Sequence, residues 1–229
     1  MNLILNFDAS CDSAPAGFER VLNHVALIFD DTFTTDATVT IAVGFGECDG
    51  VAFANNSILG ESNTTFTTAP DAASPNGQIE LPSDIGQIGL SALPWFHYDN
   101  ATKPGPGQYD FRGVAEHEIT EVMGRQLLLG DPGYTALDLL RYSAPGVPDT
   151  SATFGGYASA NGGATILNGF NVNPYGDPGD WQGATNDAFN AFTNPGVRNP
   201  MSANDLAVMN GIGWTNGGVI EAAHAHHHV

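Results

Sequence analysis

Residues 113–125 read Gly-Val-Ala-Glu-His-Glu-Ile-Thr-Glu-Val-Met-Gly-Arg. The apolar residues Val114, Ile119, Val122, Met123 and Leu127 recur at helical spacing, so the stretch predicts a helix from about Asp110 to Leu128. Gly130–Gly133 ends it. Residues four apart share a helix face, so the His117 imidazole and the Glu121 carboxylate can reach one metal ion. Both are normal zinc ligands at about 2.0–2.2 Å. Glu118 projects partly away from that line, where a general base would sit to take a proton from water. The competing reading is a solvated helix face on which Glu116, His117, Glu118 and Glu121 are merely charged. In that case the His117–Glu121 pair adds about 0.2–0.5 kcal/mol.

The chain before this helix alternates elements. Residues 2–7 read as a strand, and a helix begins at Ser13-Ala14-Pro15 and carries apolar residues from Phe18 to Phe29. Thr38–Val43 is a β-branched strand. Residues 61–78, rich in Thr, Asn, Ala and Pro, read as an exposed loop, and Ile79–Trp95 as short strands with turns. After the motif helix, 136–142 reads as a strand with Asp138 amid apolar neighbours. Residues 143–200 are loop-rich, and Ser202 caps a last helix. The order predicts an α+β fold in one domain, 1–215. It has an N-terminal mixed sheet with helices, a loop-rich C-terminal half and a final helix. A flexible tail at 216–229 carries His224, His226, His227 and His228. Those histidines could bind transition metals, but a floppy tail is not a catalytic site.

Lys and Arg total 6 against 25 Asp and Glu, a formal net charge of -19 in 229 residues. Such a surface repels phosphate backbones, which excludes nucleic acid as a partner, and it suits divalent cations. No run of 18 apolar residues exists, so no membrane span is expected. The first residues lack a basic n-region and a cleavage site and read as a strand, not a signal peptide. Cys11 and Cys48 could form one disulfide in an oxidising compartment, or stand as two small residues near strand ends.

Three stretches together resemble a group of bacterial secreted metalloprotease-like proteins related to the metzincins. They are Glu-His-Glu-Ile-Thr-Glu-Val-Met-Gly-Arg at 116–125, Leu-Asp-Leu-Leu-Arg-Tyr-Ser-Ala-Pro-Gly at 137–146, and Asp-Leu-Ala-Val-Met-Asn-Gly-Ile-Gly-Trp at 205–214. Ser-Ala-Pro-Ala-Gly-Phe at 13–18 and Gly-Asp-Trp at 179–181 are similar too. The resemblance implies a metzincin-like fold, secretion and a zinc-dependent peptidase. His117 would be a ligand, Glu118 the base and Gly124 the turn-permitting glycine. Asn199-Pro200-Met201-Ser202 resembles a Met-turn, which would place Met201 beneath the metal. The chain departs from the metzincin pattern at Glu121, where a second histidine is usual, and at Leu127, where a third ligand is usual.

A further ligand must therefore come from elsewhere. Asp138 is the first candidate, because a bare carboxylate in an apolar strand is costly to bury. A salt bridge to Arg141 or Arg125 is the alternative. Tyr142 could hydrogen-bond an oxyanion or simply pack. His97 could approach the cleft or be structural. Asn173, Asp177 and Asp180 offer oxygen ligands on a Gly- and Pro-rich loop, which suits calcium as a second cofactor beside zinc. Two functions follow from these features. One is a secreted zinc endopeptidase acting on protein or peptide substrates, slowed by the carboxylate at 121. The other is a non-catalytic extracellular structural, assembly or adhesion protein on the same scaffold, with self-association open.

Overall fold

The computed structural model describes residues 1–55, 57–183 and 185–217. Strand β1 (Asn2–Phe7) leads through a short 3-10 turn into helix α1 (Phe18–Thr32). The buried positions of α1 are Phe18, Val21, Leu22, Val25, Ala26, Ile28, Phe29 and Thr32, the i, i+3, i+4 stripe of an amphipathic helix. Burying each large side chain of that stripe stabilises the fold by about 1.5–3 kcal/mol. The chain returns as β2 (Thr38–Phe45), parallel to β1. A two-residue hairpin follows, β3 (Glu47–Cys48) with β4 (Val51–Ala52). Then come two long antiparallel strands, β5 (Gly60–Pro70) and β6 (Gln78–Leu90).

The main sheet has the order β1-β2-β6-β5, with β6 parallel to β2 and β5 on the edge. The expected loop at 61–78 is therefore mostly edge strand. The Thr, Asn and Phe side chains between Gly60 and Phe66 alternate between half-buried and exposed, the period-2 pattern of a strand with one covered face. Its polar residues look loop-like in sequence because an edge strand presents one polar face to water.

A short parallel pair, β7 (Phe96–His97) and β8 (Tyr109–Asp110), delivers the chain into helix α2 (Phe111–Val122). This helix packs against β5, β6 and α1. It is shorter than the expected 110–128. Gly124 lies at φ +101, the Gly124 N–H donates to the Glu121 carbonyl and the Arg125 N–H to the Thr120 carbonyl. That pairing is a Schellman stop, and it needs a residue free to adopt positive φ. The C-terminal half holds a small sheet of β9 (Arg141–Ala144), β10 (Val147–Pro148), β11 (Tyr157–Ala158) and β12 (Asn168–Gly169), in the order β10-β9-β11-β12. Helix α3 (Ala203–Gly211) closes the fold. Its Ser202–Asp205 capping box satisfies two backbone donors.

The fold is mixed α+β around one hydrophobic cluster that runs from Leu3 to Met209. Residues 216–217 are not tail. Asn216 bridges Phe33, and the Gly217 N–H donates to the Thr32 carbonyl. The tail histidines lie outside the described residues. Among the described residues, no helix is long and apolar enough to cross a membrane. Cys11 and Cys48 are free and buried, not bonded to each other. Burial pushes both thiols up, to about 11 and about 12, so they are inert packing residues.

Candidate metal centre

Every residue of α2 except His117 is buried, including Arg112, Glu116, Glu118 and Glu121. The solvated-face reading is therefore wrong. Charges this deep require partners. Arg112 pairs with Glu116 at 2.7 Å. The other Glu116 oxygen, Oε2, accepts the Met201 N–H at 3.3 Å.

His117 is fixed at both ring nitrogens. Nδ1 lies 2.8 Å from the Ala188 carbonyl, which can only accept, so Nδ1 carries the proton. In the neutral ring, Nε2 then holds the free lone pair. It faces Glu121 Oε1 and Asp180 Oδ1, each at 3.3 Å. These three donor atoms all lie within 4.8 Å of one another, and they form the one His/Cys/Asp/Glu group among the described residues arranged to hold a metal.

Asp180 comes from the loop-rich half. Trp181, packed between Phe170 and Phe189, anchors the segment and donates from Nε1 to Asp205 at 2.7 Å. The Asp180 carbonyl accepts from Asn171. The Ala188 N–H donates to the Pro200 carbonyl at 3.2 Å, and a Cβ on Gly113 would meet the Asn199 carbonyl at 2.6 Å. The segment resembling a Met-turn thus packs on α2 and steadies the residue that orients the His117 ring. Met201 is buried there.

Arg125, one turn beyond Glu121, is fully enclosed. Its Nη1 donates to Asp180 Oδ1 at 2.8 Å and its Nη2 to Glu121 Oε1 at 3.3 Å. Nε donates to Thr120, and the guanidinium stacks on Phe189 at 4.3 Å. Ser62 on β5 donates to the second Glu121 oxygen at 2.7 Å, and Gln126 donates to Ser62. Burial drives the His117 imidazole down, but the Asp180 and Glu121 carboxylates outweigh it and carry it up to about 10. A proton on Nε2 therefore stands where these oxygens converge. Burial works against Glu121 as well, yet His117 and Arg125 hold it well below its usual value.

Glu118 differs from its neighbours. Burial, then the Glu121 charge, pushes its carboxyl far up, and no hydrogen bond relieves it. It opens onto a cleft of about 1460 Å³ lined by the start of β5, one face of α2, and the segments 174–180 and 187–195. A Cβ on Gly60 would sit 2.4 Å from the Glu118 carboxylate oxygen, so the edge strand reaches this close to Glu118 only because residue 60 is glycine.

Several expectations need correction. Asp138 does not join the His117 group and is not in a strand. It opens a 3-10 turn (Asp138–Leu140) and accepts the backbone N–H groups of Leu128, Leu129 and Thr135. Those donors bond its oxygens directly, while Arg141 ion-pairs with Asp149 and acts on Asp138 only through its charge. Tyr142 packs against Tyr157 and Gly163 and does not line the cleft. His97 bonds to Thr102 and is structural. Of the residues named for calcium, Asn173 accepts the Tyr175 N–H within its own turn and Asp180 joins the His117 group. Sequence spacing could have pointed to Arg125, which continues the 117–121 face. Asp180 was marked in sequence as an oxygen ligand, but for calcium with Asn173 and Asp177, and nothing in its spacing tied it to His117.

No protein-family model, curated protein or solved structure matches the chain.

Proposed function

We propose that the chain is a secreted zinc-dependent endopeptidase on a metzincin-like scaffold, with His117, Glu121 and Asp180 as the metal ligands and Glu118 as general base. One observation carries this reading. Two ligand atoms each about 2.0–2.1 Å from a tetrahedral zinc are about 3.3–3.4 Å apart. Nε2 of His117 stands 3.3 Å from both carboxylate oxygens. The Nδ1–H bond to a backbone carbonyl is the arrangement that aims Nε2 at a metal. Each carboxylate oxygen has about two lone-pair sites, so it can accept from Arg125 and still face an ion.

Zinc, when bound, supplies Lewis-acid polarisation of a carbonyl and a more acidic water. The protein supplies the rest. A bound cation would counter the burial and the Glu121 charge that raise the Glu118 carboxyl, and Glu118, then ionised at the cleft floor, would take the proton from the attacking water and return it to the leaving amine. Replacing an imidazole by a carboxylate adds negative charge, which slows the chemistry at neutral pH. Arg125 offsets one such charge by donating to both carboxylates. Edge strand β5 borders the cleft, so an extended peptide can pair with its free backbone edge.

A second reading rests on the same arginine. Protonated His117 and Arg125 balance Glu121 and Asp180 without any metal, as in a non-catalytic extracellular structural or adhesion protein. Elemental analysis of protein purified without added metal separates the two. One zinc per chain, lost with peptide cleavage on chelation and on His117→Ala, supports the peptidase. Metal-free, folded protein that gains no cleavage on adding zinc sinks it.

A further inference from the structure

The cleft is short of positive charge and unevenly walled. Among the described residues, its only basic side chain besides His117 is Arg125, which is wholly enclosed and committed to Glu121 and Asp180. Beyond those two, Glu61, Glu118, Asp177 and Asp187 also line the cleft, and Asp187 accepts the Phe189 N–H. Glu118 is 5% exposed, opens onto the cleft and has no hydrogen-bond partner. Asp177 lies on the wall segment that also carries Asp180; it is exposed at the cleft, and among the described residues no hydrogen bond or ion pair engages its carboxylate.

Beside Asp177 stand two large side chains that a folded chain ordinarily covers. Tyr175 is 91% and Phe192 52% exposed, and both line the cleft. Gly176 joins them, since a Cβ there would meet the Phe192 ring at 3.1 Å. Aromatic faces next to an uncompensated carboxylate suit a long aliphatic stem ending in a cation.

We infer that the cleft selects a peptide bearing an arginine or lysine, its cationic head held by Asp177 and its stem laid along Tyr175 and Phe192. The inference names the substrate class of the site proposed above, and rests on that reading only for cleavage, not for binding.

The test uses the full chain and three labelled peptides, identical except for a central Arg, Ala or Glu, at about 0.15 M salt to screen long-range attraction. The Arg peptide should bind roughly tenfold or more tighter than the Ala peptide, the worth of a hydrogen bond to a charged group, and the Glu peptide weakest. Asp177→Asn should bring the Arg and Ala peptides to within roughly twofold of each other. Asp36→Asn removes the same charge from an exposed site outside the cleft and should leave the preference intact. Equal binding of the Arg and Ala peptides overturns the inference. So does an equal loss in both variants, which would mean general attraction to an acidic protein. Mass spectrometry of the same mixtures reads cleavage separately. Selective binding without cleavage sinks the peptidase and leaves the selectivity standing, whereas cleavage indifferent to Arg does the reverse.

Discussion

Nε2 of His117 on α2 and Oδ1 of Asp180 in the loop-rich half meet at 3.3 Å. The contact joins the two halves of the chain at the floor of one cleft, and Arg125 holds the same Asp180 oxygen from the other side. Asp180 and Asp138, both buried aspartates, therefore have opposite jobs. Asp180→Asn is expected to abolish stoichiometric zinc binding while the fold survives. Asp138→Ala is expected to keep zinc but lose about 1–3 kcal/mol or more of stability, since three backbone donors lose their acceptor. Zinc content and urea unfolding of both variants check this, and zinc loss in Asp138→Ala would reinstate it as a ligand.

Arg125→Met leaves two buried carboxylates with only His117 for compensation. Breaking a buried pair this way costs about 3–5 kcal/mol. A bound divalent ion would replace the missing charge. Zinc should therefore raise the Tm of the variant more than that of the wild type, as read by thermal melts with and without chelator. An equal zinc response in both proteins would mean that Arg125 and a metal do not share the carboxylates.

Gly60→Ala sets a methyl group into the Glu118 carboxylate, which must swing aside. Zinc content and Tm should change little, while kcat/KM for peptide cleavage should fall by about 10²-fold, as for a catalytic group misplaced by an ångström. Unchanged cleavage in Gly60→Ala would remove Glu118 from the proton-transfer step.

Asp205 is buried against Asp187, and burial, then that neighbour, raises its carboxyl well above the ordinary 3.8. The folded state therefore holds a proton that the unfolded chain has released. This contribution to stability is fully present below pH 3.8 and fades as pH rises toward and through the folded value. Asp187→Asn replaces the repelling carboxylate with a donor toward Asp205, and its amide oxygen can still accept the Phe189 N–H. Its Tm should exceed that of the wild type at neutral pH and converge with it near pH 4. A constant offset at all pH values would show that the pair does not share a proton.

Local order was legible because its causes are local. The i, i+4 spacing set His117 and Glu121 on one face of α2, and the Ser202–Asp205 box fixed the start of α3, whereas the turn at Gly124 was implied only by the metzincin resemblance. The helix end was missed by a few residues, since the apolar period ran on past Gly124 to Leu127. The polar residues of β5 concealed an edge strand, because only pairing with β6 makes that stretch extended. Which carboxylate completes the His117 group was a tertiary decision. Asp138 and Asp180 are both aspartates set among apolar residues, and each needs compensation when buried. Backbone N–H groups took one, and Trp181, wedged between Phe170 and Phe189, carried the other to His117 and Arg125. Sequence spacing determines who shares a helix face, but only packing of the whole chain decides which distant charges are forced to share a buried space.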